Sequence, residues 1–152
     1  MIGLEREMVY RVRPKGPLGR TDGSPHGVRE FWELSDAELV GPRIHATSLG
    51  AGGDWFRVAS SDGFSRPRVR MQFVTSDGAF VLLSYTGLVK ATDAFIRAAE
   101  TQGSTDFHEQ YMRMQLSFET GAAAYNWLNE SLWIAEGRLA TGSIEYIVYR
   151  VT

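Results

Sequence analysis

The chain has 152 residues, of which 43% are apolar and 22% are charged, a composition typical of one folded domain. The absence of cysteine excludes disulfide bonds, thiolate metal sites and a cysteine nucleophile. A net charge of −2 creates no overall field that would attract nucleic acid, and no apolar run approaches the roughly 18 residues of a membrane span. We therefore expect a single domain over residues 1–152, located in the cytoplasm, with no nucleic-acid or membrane partner.

The predicted elements are mostly short strands separated by glycine-containing turns. In 67–75 and in 111–119, apolar and polar side chains alternate strictly, which indicates half-buried antiparallel strands. In chain order, strands are predicted at about 5–13, 30–34, 43–49, 54–59, 67–75, 79–85, 111–119, 130–137 and 143–151.

Two segments depart from this strand pattern. Residues 14–29 are rich in proline and glycine and are expected to form a long loop. Residues 92–103 predict a helix that Thr92 or Asp93 caps and Gly103 ends. The predicted fold is therefore all-β, a single antiparallel β-barrel of about 8–10 strands with one inserted helix at about 92–103. The predicted helix has only a thin apolar stripe, which places it on the barrel surface or across a barrel mouth.

Polar side chains share one face of three predicted strands. They either form the solvent face of a barrel, the more general interpretation, or line an internal pocket together with a small ligand. Arginine would supply donors for such a ligand, and tyrosine could relay a proton. The residues concerned are Arg43, His45 and Thr47, then Arg68 and Arg70, then Tyr111, Arg113 and Glu119.

The sequence contains no nucleotide-binding, nucleophile-elbow or zinc-protease motif. Its three histidines, His26, His45 and His108, lack the spacing of metal ligands, so we expect neither a metal nor a cofactor. Asp54 follows a run of glycines, where it either stabilises a turn or forms a mouth carboxylate paired with Arg43 or Arg70.

The aromatic residues also allow two interpretations. Each is compatible with a core position, but tryptophan and tyrosine at a barrel mouth could hold a flat apolar ligand. The candidates are Trp55, Tyr85, Tyr125, Trp127 and Trp133.

Several ordered motifs resemble the domain-of-unknown-function 3237 family over about residues 5–151. They include Gly53-Asp54-Trp55, Phe118-Glu119-Thr120-Gly121 and Tyr125-x-Trp127-Leu128-Asn129, with Gly41-Pro42-Arg43 and Pro25-His26-Gly27. The resemblance implies a lipocalin-like or allene-oxide-cyclase-like β-barrel that holds a ligand without a cofactor. It implies pocket or framework roles for His26, Arg43, Asp54, Trp55, Arg70, Glu119, Tyr125, Trp127 and Asn129.

Three features differ from the family pattern. Arg68 stands where relatives often have an aspartate, and His45 where they often have a basic residue. Residues 91–110 form an insertion that could act as a lid. These differences suggest a specialised member of the family, whose substrate differs from that of its relatives.

The first functional hypothesis is a cofactor-independent acid–base enzyme of the lyase or isomerase type, acting on a small aromatic or apolar compound inside the barrel. The alternative is a non-catalytic carrier or sensor barrel, and a third possibility is a structural protein with a filled barrel. We also expect a homo-oligomer. The candidate catalytic residues are Asp54, His45, Arg70, Tyr85 and Tyr111, and the candidate substrate-binding residues are His26, Arg43, Trp55, Arg68, Arg113, Glu119, Trp127 and Asn129.

Overall fold

Ten antiparallel strands make up most of the computed structural model, which describes all 152 residues. One nine-residue helix, α1 (Asp93–Thr101), follows β7, and a short 3-10 helix (Ala123–Tyr125) leads into α2 (Asn126–Asn129). The strands are β1 (Leu4–Arg20), β2 (Arg29–Gly41), β3 (Ile44–Ser48), β4 (Gly52–Arg57), β5 (Phe64–Ser65), β6 (Arg68–Thr75), β7 (Phe80–Lys90), β8 (Met112–Glu119), β9 (Leu132–Ala140) and β10 (Ser143–Val151).

The strands close into a ring of eight positions. β1 pairs with β2 and β10, and the ring continues through β9, β8, β7 and β6. β3 and β4 are successive segments of one wall, since each pairs with β2 on one side and with β6 on the other. The predicted all-β barrel is therefore confirmed, and closure leaves little free sheet edge.

The barrel interior is filled mainly by large apolar and aromatic side chains. Tyr10, Phe73 and Trp133 are almost completely buried, and they come from three different strands. At one end, the indole N–H of Trp133 donates to the carbonyl oxygen of Leu128 at 3.0 Å, and Trp127 packs edge-on against Trp133. The 3-10 helix and α2 therefore close this end, while α1 lies at the other.

The predicted helix and its Thr92 cap are confirmed, but the left-handed residue that ends the helix is Gln102 rather than Gly103. The Oγ1 of Thr92 accepts from the backbone N–H of Phe95 at 3.1 Å, which caps the first turn. Gln102 is left-handed (φ 53°), and the N–H of Gly103 donates to the carbonyl of Ala98 at 2.8 Å. No helix is long and apolar enough to cross a bilayer.

The prediction of a loop over residues 14–29 is wrong for half of its length. β1 continues to Arg20 and β2 begins at Arg29, which leaves residues 21–28 as the loop. The pairing register of the two strands shifts around Pro14 and Pro17, and such bulges tolerate a residue without an N–H donor. Proline therefore marks irregular pairing here rather than the end of a strand.

Candidate functional site

A largely apolar cavity of about 330 Å³ lies inside the barrel at the end covered by α1. Trp32 and Phe56 contribute from β2 and β4, and Leu139 and Ile144 contribute from β9 and β10. Phe95 of α1 packs against the core from above. The helix stripe that the sequence indicated is thus the cover of the cavity, whose volume suits a small organic molecule.

Asp54 is the only ionisable side chain that lines this cavity. It lies opposite Trp32 of β2 and Val69 of β6, and strand alternation turns it inward while Trp55 points outward. One carboxylate oxygen, Oδ1, accepts from the backbone N–H of Arg68 at 2.9 Å. No cationic side chain forms a salt bridge with Asp54, so nothing but this backbone hydrogen bond favours its charged form.

Burial raises the pKa of Asp54 from 3.8 to about 6, and the hydrogen bond from the Arg68 backbone offsets only part of that rise. A carboxyl group with this pKa changes its protonation state close to neutral pH. It can therefore accept a proton as a carboxylate and return the proton as an acid. Perturbed carboxyl groups in enclosed clefts are frequent in functional sites.

Three tyrosines form a cluster in the interior, where the charge of Asp54 acts on them although none of them lines the cavity. The rings of Tyr10 and Tyr146 stack with centroids 5.5 Å apart, and the hydroxyl oxygens of Tyr10 and Tyr85 are 3.4 Å apart. Burial raises the pKa of all three phenols well above the ordinary value, and the nearby charge of Asp54 raises it further. The phenols therefore remain neutral and keep their protons available for hydrogen bonding.

The structure places the arginines of β6 and β8 on the outer wall. Val69 and Met71 fill the inner face of β6, so Arg68 and Arg70, which alternate with them, are exposed. Arg113 alternates in the same way with buried neighbours on β8. The hypothesis that these three guanidinium groups project into the lumen is wrong, because the large apolar side chains occupy that space.

Other predicted residues also lie outside the cavity. His45, Tyr111 and Glu119 are exposed on the outer wall, and Arg43 forms a salt bridge with Glu7 at 2.6 Å. The predicted pairing of Asp54 with Arg43 or Arg70 is therefore wrong.

Several family motif residues lie outside the cavity, and three of them, Trp127, Asn129 and Tyr125, make framework contacts. Trp55 is 43% exposed, His26 lies in the exposed loop 21–28, and Trp127 belongs to the closed end of the barrel. The side-chain amide of Asn129 bonds both the N–H and the carbonyl of Thr120. The last residue of this group is Tyr125, whose hydroxyl donates to Asp77 at 2.8 Å.

Of the predicted catalytic residues, the structure places Asp54 and Tyr85 on the inner side of the barrel, but only Asp54 lines the cavity. Sequence reasoning missed the interior residues Tyr10 and Tyr146, although each shares a strand face with apolar residues two positions away, Met8 and Val12 on β1 and Ile144 and Val148 on β10. This recurrence of apolar and aromatic residues at every second position could have predicted that both tyrosines face the interior. No group of three or more His, Asp or Glu side chains comes together as a metal site.

Residues 6–151 match the family described as "Protein of unknown function (DUF3237)", and the chain belongs to that family. The UPF0311 protein RPA1785 of Rhodopseudomonas palustris is 24% identical over 149 residues, which are 97% of both chains. Its crystal structure covers 100% of this chain and 99% of its own, with a TM-score of 0.87 and 22% identity.

Two further solved structures share the fold. A β-barrel-like protein from Acinetobacter baumannii AYE covers 100% of this chain and 97% of its own, with a TM-score of 0.81 and 22% identity. An enzyme from Penicillium herquei covers 99% of this chain and 95% of its own, with a TM-score of 0.66 and 19% identity. At these identities the likeness concerns the fold alone.

Proposed function

We propose that the protein is a cofactor-independent acid–base enzyme of the lyase or isomerase type, whose substrate is a small aromatic or apolar compound bound under α1. The observation that carries this proposal is Asp54, a carboxyl group with a pKa of about 6 and no cationic partner in an apolar cavity. Elimination, isomerisation and retro-aldol cleavage all require a base that takes a proton from the bound substrate.

The cavity favours a substrate without negative charge. No arginine, lysine or histidine lines it, so a bound anion would face the Asp54 carboxylate without compensation. Trp32 and Phe56 offer aromatic surface for a ring. Negative charge that develops during proton removal would have to be stabilised by neutral donors that line the cavity, such as the amide of Gln102 or the hydroxyl of Ser143.

In the proposed step, the Asp54 carboxylate removes a proton from a carbon next to a carbonyl group. The C–H bond breaks, an O–H bond forms on Asp54, and the electron pair moves toward the carbonyl oxygen. Asp54 then returns the proton to another carbon in an isomerisation, or to a leaving group in an elimination. The structural neighbour from Penicillium herquei is itself an enzyme, which is compatible with catalysis on this fold.

The second candidate is a carrier or sensor barrel. It is favoured by the absence of any cationic oxyanion donor in the cavity, because a carrier needs only apolar surface and one polar contact.

A carbon-acid probe distinguishes the two functions. The ring of 5-nitrobenzisoxazole opens to a coloured phenolate when a base removes its C–H proton. We expect turnover to rise with pH through about 6, and Asp54→Asn to lower kcat/KM by about 10²–10⁴-fold. Asp36→Asn is the matched control, since Asp36 is exposed and has a positive φ of 47° that asparagine tolerates. Equal rates for the wild type and Asp54→Asn would contradict the enzyme and favour the carrier.

A further inference from the structure

A second concave surface, distinct from the internal cavity, crosses the outer wall of the barrel and encloses about 1000 Å³. We call it the arginine groove. Its lining includes five guanidinium groups, those of Arg29, Arg57, Arg66, Arg68 and Arg113. The chain as a whole carries a net charge of −2, so this surface concentrates positive charge against the overall balance.

Three of these arginines are direct cross-strand neighbours. Arg29 of β2 pairs with Arg57 of β4, and Arg57 is also bridged to Arg66. Like charges directly opposite each other on one face of a sheet destabilise it. The row Arg29–Arg57–Arg66 therefore has an electrostatic cost that a bound anion would relieve.

Neutralisation within the protein is incomplete. Arg66 forms a salt bridge with Asp62 at 2.5 Å, and Arg113 has Glu136 at 3.9 Å. Neither Arg29 nor Arg68 forms a salt bridge, and five arginines against two carboxylates leave a charge of +3. Arg57 donates only to the carbonyl oxygen of His26, at 2.6 Å.

Aromatic surface lies beside these charges. The side chains of Trp55 and Tyr111 line the groove and are 43% and 45% exposed. Trp55 is held by Phe31 at a centroid distance of 5.3 Å, and Tyr111 by Phe64 at 5.9 Å. Ordered, exposed aromatic rings beside free guanidinium groups suit a ligand that has both a flat ring and an anionic group.

We propose that the arginine groove is a binding site for a small aromatic anion, whose carboxylate or phosphate group contacts the row Arg29–Arg57–Arg66 and whose ring packs against Trp55. Guanidinium groups bind both head groups through paired hydrogen bonds. The site is independent of the proposed catalysis, because Trp55 and Asp54 lie on opposite faces of β4.

Two fluorescent probes test the proposal. 8-Anilinonaphthalene-1-sulfonate is an aromatic anion, and N-phenyl-1-naphthylamine is the same ring system without the sulfonate. We expect the double variant Arg29→Gln/Arg57→Gln to weaken binding of the anionic probe about tenfold or more and to leave binding of the neutral probe unchanged. The control is Arg13→Gln/Arg97→Gln, which removes two exposed arginines outside the groove and should change neither affinity.

Competition identifies the head group. Displacement of the anionic probe by benzoate or by phenyl phosphate supports the site and assigns a carboxylate or a phosphate to it, whereas displacement by neither overturns it. Inorganic phosphate should also raise the Tm of the wild type more than that of the groove variant at equal ionic strength.

Two further results would overturn the proposal. One is equal affinity of the anionic probe for the wild type and the groove variant. The other comes from light scattering, which also tests the predicted homo-oligomer. A wild type that associates through the groove, binds no anionic probe and dissociates on Arg29→Gln/Arg57→Gln would make the groove a contact between copies of this chain.

Discussion

Asp54→Asn should change how the stability of the protein depends on pH. The pKa of Asp54 is about 6 in the folded protein, compared with 3.8 for an unburied aspartate, because burial disfavours the carboxylate. Each unit of pKa is worth about 1.4 kcal/mol, so ionisation of Asp54 costs the folded state at most about 3 kcal/mol. We take this as an upper bound because one side of the carboxyl group is open to the cavity.

The sign follows from proton binding. Between pH 3.8 and about 6, the folded protein binds more protons at Asp54 than the unfolded chain does, so the stability of the wild type falls as pH rises. The stability that protonated Asp54 gives the folded state, relative to ionised Asp54, is fully present below pH 3.8 and is lost once the pH has passed about 6. The asparagine side chain of the variant does not titrate. As the pH rises from about 4 to 8, the free energy of unfolding of Asp54→Asn minus that of the wild type should therefore increase by up to about 3 kcal/mol.

Urea unfolding followed by tryptophan fluorescence measures this difference at one-unit pH intervals, with Asp36→Asn as the control that should track the wild type. Parallel stability curves for Asp54→Asn and the wild type would refute the reasoning. They would mean that Asp54 titrates as an ordinary solvated carboxyl group, and the acid–base proposal would then lose its base.

Two further substitutions test other parts of the barrel. A Cβ on Gly87 would lie 2.2 Å from the backbone oxygen of Arg113. Gly87→Ala should therefore lower the free energy of unfolding, measured in urea, by about 1–3 kcal/mol. Unchanged stability would contradict this packing. Hydrogen bonds from Thr75 and then Tyr125 lower the pKa of Asp77. The Tm deficit of Asp77→Asn should therefore be present at neutral pH and disappear as the pH falls below the folded pKa, and a deficit independent of pH would argue against the carboxylate.

The barrel could be predicted from the sequence because its signal is local. Strict alternation in 67–75 and 111–119, with glycine turns between short strands, requires half-buried antiparallel pairs. The ends of the strands were harder to predict. The chain continues in β1 through Pro14 and Pro17 because the bulged pairing there needs no N–H, and this depends on the partner strand.

Which strand face lies inside the barrel could partly have been predicted. On β8, Met112, Met114 and Phe118 share one face, and a ring of eight strands has just enough room for side chains of that size. Once these residues fill the lumen, Arg113 must point outward. The hypothesis of inward arginines therefore conflicts with the core volume that the alternation in the sequence already implies.

β4 shows where such reasoning ends. Its inner face carries Asp54 and Phe56, and its outer face carries Trp55 and Arg57, so each face has one aromatic and one charged residue. Side-chain polarity cannot orient a strand of this kind. Its orientation comes from register, because pairing with Trp32 of β2 turns Asp54 inward. The same pairing places Trp55 and Arg57 on the outer wall, so one register accounts for both the buried carboxyl group and the arginine groove.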